Sequence, residues 1–228
     1  MSAPILIGCA HGTRGAEGQA TIRALLEEIR IATGLEVREA YVDVQDPKID
    51  AVVADIPEGD GVSAVVVPLL LAGGYHVYVD IAEAVKHRPD VVAAPALGPD
   101  IRLIDIVMER LAESQVPAGA SVVLAAAGSS DPRSQADTDK AASMLAQRWQ
   151  GEVSIGFAAG TSPSVADSVQ AARHAHPDVP VAVASYLLAP GFFQRKVEEA
   201  GAEIATGPLA PHPALLEIVA DRFHEHAS

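Results

Sequence analysis

Four blocks of this sequence recur in the same order in its second half. AHGT at 10–13 faces AAGS at 126–129, and YVDVQDP at 41–47 faces FAAGTSP at 157–163, both at an offset of 116. LLAGGYH at 70–76 faces LLAPGFF at 187–193 at an offset of 117, and LGPDIRLIDIVMERL at 97–111 faces LAPHPALLEIVADRF at 209–223 at 112. Ordered matches at a nearly constant separation mark an internal duplication. The 228 residues therefore read as two similar halves, 1–115 and 116–228, with turn residues SQVPAG at 114–119 between them.

Each half alternates short apolar runs with amphipathic stretches. Residues 5–10 are apolar and too few for a helix, which predicts a buried strand. Ile22, Leu25, Leu26 and Ile29 follow at helical spacing and Gly34 supplies a stop. Residues 35–42 predict the second strand, and Asp46 before Pro47 predicts an N-cap with proline at the first helical position. A strand at 62–71, a helix at 76–87, a strand at 91–97 and a helix at 101–113 complete the first half. The series then restarts with strands at 122–127, 153–159 and 181–188 and helices at 132–149 and 163–175, followed by a helix, a strand and a last helix. Continuous apolar strands separated by helices predict an α/β fold with a parallel four-stranded sheet in each half and helices on both of its faces.

Open parallel sheets present their ligands beyond the carboxyl ends of the strands. The first predicted strand runs into His11, the second into Asp43 and the third into the loop that carries His76. Two imidazoles and a carboxylate suit a borderline divalent ion such as Fe²⁺, Co²⁺ or Ni²⁺, or acid/base work near neutral pH. The duplication supplies an internal control: the equivalent positions are Ala127, Ala159 and Phe193, none of which can ligate or titrate. The scaffold is kept twice and the polar set once, which points to one functional edge in the first half.

Each residue also has a purely structural reading. His11 fits a bond to a carbonyl or a helix cap, Asp43 fits a turn cap, and His76 fits a cap of the helix it precedes. Cys9 shares a strand with His11 and is expected in the core. His87, His174, His176, His212, His224 and His226 lie near helix ends or the terminus and are expected on the surface. Gly12, Gly15 and Gly18 do not make the G-x-G-x-x-G dinucleotide fingerprint, and neither a P-loop nor a G-x-S-x-G elbow is present.

Composition narrows the partners. With 16 Lys+Arg against 30 Asp+Glu the net charge is −14, which disfavours nucleic acid and anionic membranes. Hydrophobic residues at 49% supply a core, so disorder is excluded as the main state. One cysteine permits no internal disulfide, no apolar run reaches the length of a membrane span, and the N-terminus lacks a basic leader. The expectation is a cytoplasmic protein.

AHGTR after the first strand, YVDVQDP after the second and LLLAGGYHVYVDI after the third, together with the tandem halves, resemble the sirohydrochlorin chelatases of the CbiX/SirB type, the class II chelatases. The resemblance runs from about Ile5 to Phe223. It implies two flavodoxin-like, chelatase-type domains facing each other across a cleft in which a divalent metal is inserted into a tetrapyrrole. It places the two metal-handling histidines on His11 and His76. The family usually has a glutamate where this chain has Asp43, which keeps the charge and shortens the reach by one methylene. The metal, Fe²⁺ or Co²⁺, is then a substrate, and no permanently bound cofactor is expected. Sirohydrochlorin is itself a polycarboxylate, so an acidic protein needs a local donor lining. Arg14 is the first candidate, backed by backbone N–H groups of the turns at Gly12 and Gly74, with Ser129 and Ser130 from the second half. Fe²⁺ insertion for sirohaem is the favoured reading; Co²⁺ insertion for cobalamin and a non-catalytic metal or tetrapyrrole carrier are the alternatives. Two fused halves are compatible with a monomer.

Overall fold

All six residues of β1 (Ile5–Ala10) are buried, a pattern that only a central strand covered on both faces sustains. The computed structural model describes residues 3–59 and 61–227. In it β1 lies between β2 (Val37–Tyr41) and β3 (Ala64–Pro68), with β4 (Val91–Ala93) beyond β3, in the order β2-β1-β3-β4. Every pairing is parallel; Cys9 stands opposite Ala40 on one side and Pro68 on the other. The carboxyl ends of the strands therefore share one edge, as the alternating pattern predicted.

Helix α1 (Ala16–Thr33) buries Gly18, Ile22, Leu25, Leu26 and Ile29 and stops at Gly34, whose left-handed φ of 69° lets its N–H reach Arg30 O. It covers the face of β1 on which Gly8 lies, where a Cβ would stand 2.2 Å from Leu26 Cδ2. The opposite face carries Ile5, Ile7 and Cys9 with Ala64 and Val66. It is sealed by Ile49, Val52 and Val53 of α2 (Ile49–Ala54), by Ile81, and by Ala84 and Val85 of α3 (Ala82–Val85). Each fully buried aliphatic side chain contributes roughly 1.5–3 kcal/mol relative to exposure.

The second sheet repeats the first. Strands β5 (Ser121–Ala126), β6 (Val153–Phe157), β7 (Val181–Tyr186) and β8 (Ile204–Ala205) follow the order β6-β5-β7-β8, again all parallel. Val123, Ala125 and Val183 pack against Val165 and Val169 of α6 (Val165–Ala175) and Val197 of α7 (Phe192–Glu198). The remaining helices are α4 (Ile101–Glu113), α5 (Pro132–Ala146) and α8 (Pro213–His224). The duplication extends to single hydrogen bonds: Tyr41 N–H donates to Pro47 O and Phe157 N–H to Pro163 O, each at 2.9 Å.

The compact units do not divide at 115/116. One consists of Met1–Leu97 with Pro211–Ser228, the other of Gly98–Ala210. Helix α4 packs on α5 and β7, and α8 packs on α1 and β3, so each repeat gives its last helix to the other repeat's sheet. Equivalent arginines fasten the exchange. Arg110 on α4 donates from Nε to Pro208 O (3.1 Å) and from Nη2 to Leu209 O (3.2 Å). Arg222 on α8 donates from Nε to Ala96 O (3.2 Å) and from Nη2 to Leu97 O (3.3 Å).

Local departures have physical reasons. Asp46 is not an N-cap; Lys48 holds that position because its backbone pairs with Tyr41, which delays the helix to Ile49. Leu69, Ala94, Ala96 and Leu97 are buried but lie outside the ladders, so the apolar runs outlast β3 and β4. The helix expected over 76–87 begins instead as a π-helical turn, His76–Ile81, that runs into α3.

Candidate active site

The loop leaving β1 is held from several sides. Thr13 N–H donates to Gln45 Oε1 (3.3 Å), Gln19 Nε2 donates to Thr13 O (2.7 Å), and Gly15 N–H donates to Thr13 Oγ1 (3.1 Å). Gly12 has φ +93°, and a Cβ there would press on Gln45 and Val44 at 3.1–3.3 Å. Only glycine meets both demands. The β2 loop lies alongside, with Val42 N–H on Ala10 O and Asp43 N–H on His11 O, both at 3.1 Å.

This frame brings His11 and His76 together. Their rings meet edge to face, centroids 4.6 Å apart at an interplanar angle of 89°. His11 Nδ1 lies 3.2 Å from Gly12 O, and His76 Nδ1 lies 2.6 Å from Asp80 Oδ2. A carbonyl and a carboxylate only accept, so both Nδ1 atoms carry the proton when the rings are neutral. That leaves both Nε2 lone pairs available, and among the described residues neither has a hydrogen-bond partner. Two metal–nitrogen bonds of about 2.0–2.1 Å are compatible with rings this close.

Asp43 does not complete a cluster. It is exposed, and its backbone O accepts from Gln45 N–H and Lys48 Nζ. No group of three His, Cys, Asp or Glu side chains able to hold a metal occurs among the described residues. The carboxylate at this edge is Asp80, bonded to His76; it is not among the sequence candidates, and its signal is the His-x-x-x-Asp spacing at the start of the helix expected over 76–87. Cys9 faces the core, where burial and then the Asp80 anion push its thiol up to about 12. It is no ligand at neutral pH.

Arg14 is exposed and has no hydrogen bond or ion pair among the described residues. Gly74 is buried at the mouth of the π turn, its O accepting from Val77 N–H (3.0 Å). Tyr75 and Val79 expose apolar surface on either side of His76, with the Tyr75 ring 6.0 Å away. Ser129 belongs to the second unit, where its Oγ accepts from Asp131 N–H (3.1 Å) as a turn cap, and Ser130 beside it is exposed. The second unit spends the histidine positions on packing: Ala127 and Phe193 lie against its hydrophobic cluster.

The chain is 27% identical over 206 residues to a sirohydrochlorin ferrochelatase of Priestia megaterium, covering 86% of this chain and 77% of that one. It is 31% identical over 103 residues to a sirohydrochlorin cobaltochelatase of Sulfolobus acidocaldarius, covering 44% of this chain and 83% of that one. SirB from Bacillus subtilis, solved with Fe³⁺, shares the fold with a TM-score of 0.80 at 22% identity, over 100% of this chain and 96% of that chain. The CbiX family model matches twice, at residues 5–114 and 121–226, so the chain belongs to the CbiX family and carries its module in tandem.

Proposed function

We propose that this protein is a sirohydrochlorin chelatase that inserts Fe²⁺ into the macrocycle over the His11–His76 edge. The observation that carries the reading is the pair of adjacent imidazoles whose Nδ1 atoms are both engaged by acceptors, leaving two Nε2 lone pairs and, among the described residues, no third protein ligand beside them. A resident metal would be held by three or four ligands; two suit an ion that must be passed on. Insertion breaks two pyrrole N–H bonds and forms four metal–nitrogen bonds, and the two protons need acceptors. Neutral Nε2 atoms supply either a transient ligand or a proton acceptor. Asp43, at the same strand edge, supports proton removal or metal entry through water.

Tyr75 and Val79 give the flat macrocycle an apolar rest, and the unengaged Arg14 guanidinium meets its carboxylates, with N–H groups at Gly12 and Gly74 as further donors. Ser129 is a weaker candidate because its hydroxyl already caps a turn. The −14 net charge disfavours polyanions at long range and concentrates cations. No described helix is long and apolar enough to cross a membrane. The expected setting is the cytoplasm and the expected state a monomer, since both modules lie in one chain.

A second reading, Co²⁺ insertion, is favoured by the match to the archaeal cobaltochelatase. Incubating the protein with sirohydrochlorin and Fe²⁺, Co²⁺ or Ni²⁺ while following the absorption spectrum against a protein-free control separates them. Faster insertion of Fe²⁺ than of Co²⁺ supports the first reading, and the reverse order supports the second. No acceleration with any ion leaves a metal or tetrapyrrole carrier and refutes the enzyme.

A further inference from the structure

We propose that Asp80 is a positioning residue for His76, fixing the tautomer and orientation in which Nε2 is free to receive a metal or a proton. The inference rests on the metal-insertion reading for its effect on turnover, and on geometry for the tautomer itself. Asp80 Oδ2 lies 2.6 Å from His76 Nδ1, a short contact of the kind a carboxylate acceptor makes, with 35% of the His76 side chain and 30% of the Asp80 side chain exposed. Histidines that handle metals commonly donate their second nitrogen to such a carboxylate, which orients the ring and strengthens its basicity.

Two further observations separate this role from simple helix stabilisation. The duplication places Phe193 opposite His76 and, continuing the same alignment, Val197 opposite Asp80. Val197 is 1% exposed and packs with Phe193 in the hydrophobic cluster of the second unit. The imidazole and the carboxylate are therefore lost together, while the strand and glycine turn before them remain. The backbone differs in step. The first unit forms a π turn at His76–Ile81, where the second runs as regular helix through Phe192–Glu198. Single π turns inside helical segments recur at functional sites, because the extra residue re-aims side chains. Here the turn carries both members of the pair.

The proposal is tested on the full chain by ¹⁵N-imidazole NMR at pH 8.5, alongside steady-state insertion kinetics. Wild-type His76 is expected as the Nδ1–H tautomer. In Asp80→Ala it should shift toward Nε2–H while His11, anchored on a backbone carbonyl, keeps its tautomer. The kcat for insertion should fall about 10- to 100-fold with KM for sirohydrochlorin within twofold. Should Asp80→Ala fail to fold, Asp80→Asn keeps the shape without the charge, and its kcat should fall at least about 10-fold on the same reasoning. A wild-type His76 in the Nε2–H form, a tautomer indifferent to Asp80→Ala, or an undiminished kcat in a folded variant overturns the proposal. Wild-type protein that inserts no metal refutes the insertion reading instead, and the tautomer measurement still decides the role of Asp80.

Discussion

The ring of His11 stands edge-on to that of His76, centroids 4.6 Å apart, although the two residues follow different strands of one parallel sheet. The pairing follows from register. β1 and β3 are hydrogen-bonded neighbours, and both chains leave the sheet at the same edge. A two-nitrogen site should bind Co²⁺ weakly and reversibly. Titration followed by visible absorption is expected to give micromolar or weaker affinity, lost in His11→Ala and in His76→Ala. Chelation by EDTA should leave the melting temperature within about 2 °C, unlike structural sites whose metal supplies folding energy.

Two glycines with positive φ should respond differently to alanine. At Gly128 (φ +91°) a Cβ would stand 1.8 Å from Ala159 O, so the backbones of two loops must part. Gly128→Ala is expected to cost about 3 kcal/mol or more. At Gly34 (φ +69°) nothing lies within 4 Å, and only the left-handed conformation itself is charged against the variant, about 1–2 kcal/mol. Urea denaturation of both variants checks the order.

Arg110 and Arg222 each donate two hydrogen bonds to carbonyls that follow a sheet's fourth strand. Truncating either to alanine leaves those carbonyls without their charged donors and should destabilise by about 2–4 kcal/mol. Proteolysis or hydrogen exchange should locate the loosening in residues 98–210 for Arg110→Ala and in the other unit for Arg222→Ala.

Cys9 should be inert. With its thiol pushed up to about 12 by burial and by the Asp80 anion, the thiolate fraction at pH 8 is on the order of 10⁻⁴. Alkylation by iodoacetamide at that pH is expected only after denaturant is added. Rapid labelling of the native protein would contradict the core placement.

The repeat, the central strands and the convergence of His11 and His76 on one edge were legible because they follow from apolar runs and the strand-end rule. The exchange of α4 and α8 was not. The two helices carry the same apolar stripe, as their matching sequences require, and a pattern that fits both sheets cannot say which sheet each will cover. The His76–Asp80 pair had its signal in the His-x-x-x-Asp spacing, which a helix over 76–87 already places on one face, whereas the π turn that carries the pair leaves no mark in the apolar pattern. Asp43 was legible as a strand-end carboxylate, but its exposed position and the Lys48 and Gln45 contacts to its backbone depend on the loop before α2.

The most direct measurement is the initial rate of Fe²⁺ insertion into sirohydrochlorin by wild type, His11→Ala, His76→Ala and the surface control His224→Ala, each shown by circular dichroism to be folded. Loss of a proton acceptor or transient ligand should lower the rate at least about 100-fold in both site variants and leave His224→Ala unchanged. Rates within a few-fold of wild type in both His11→Ala and His76→Ala would contradict the account.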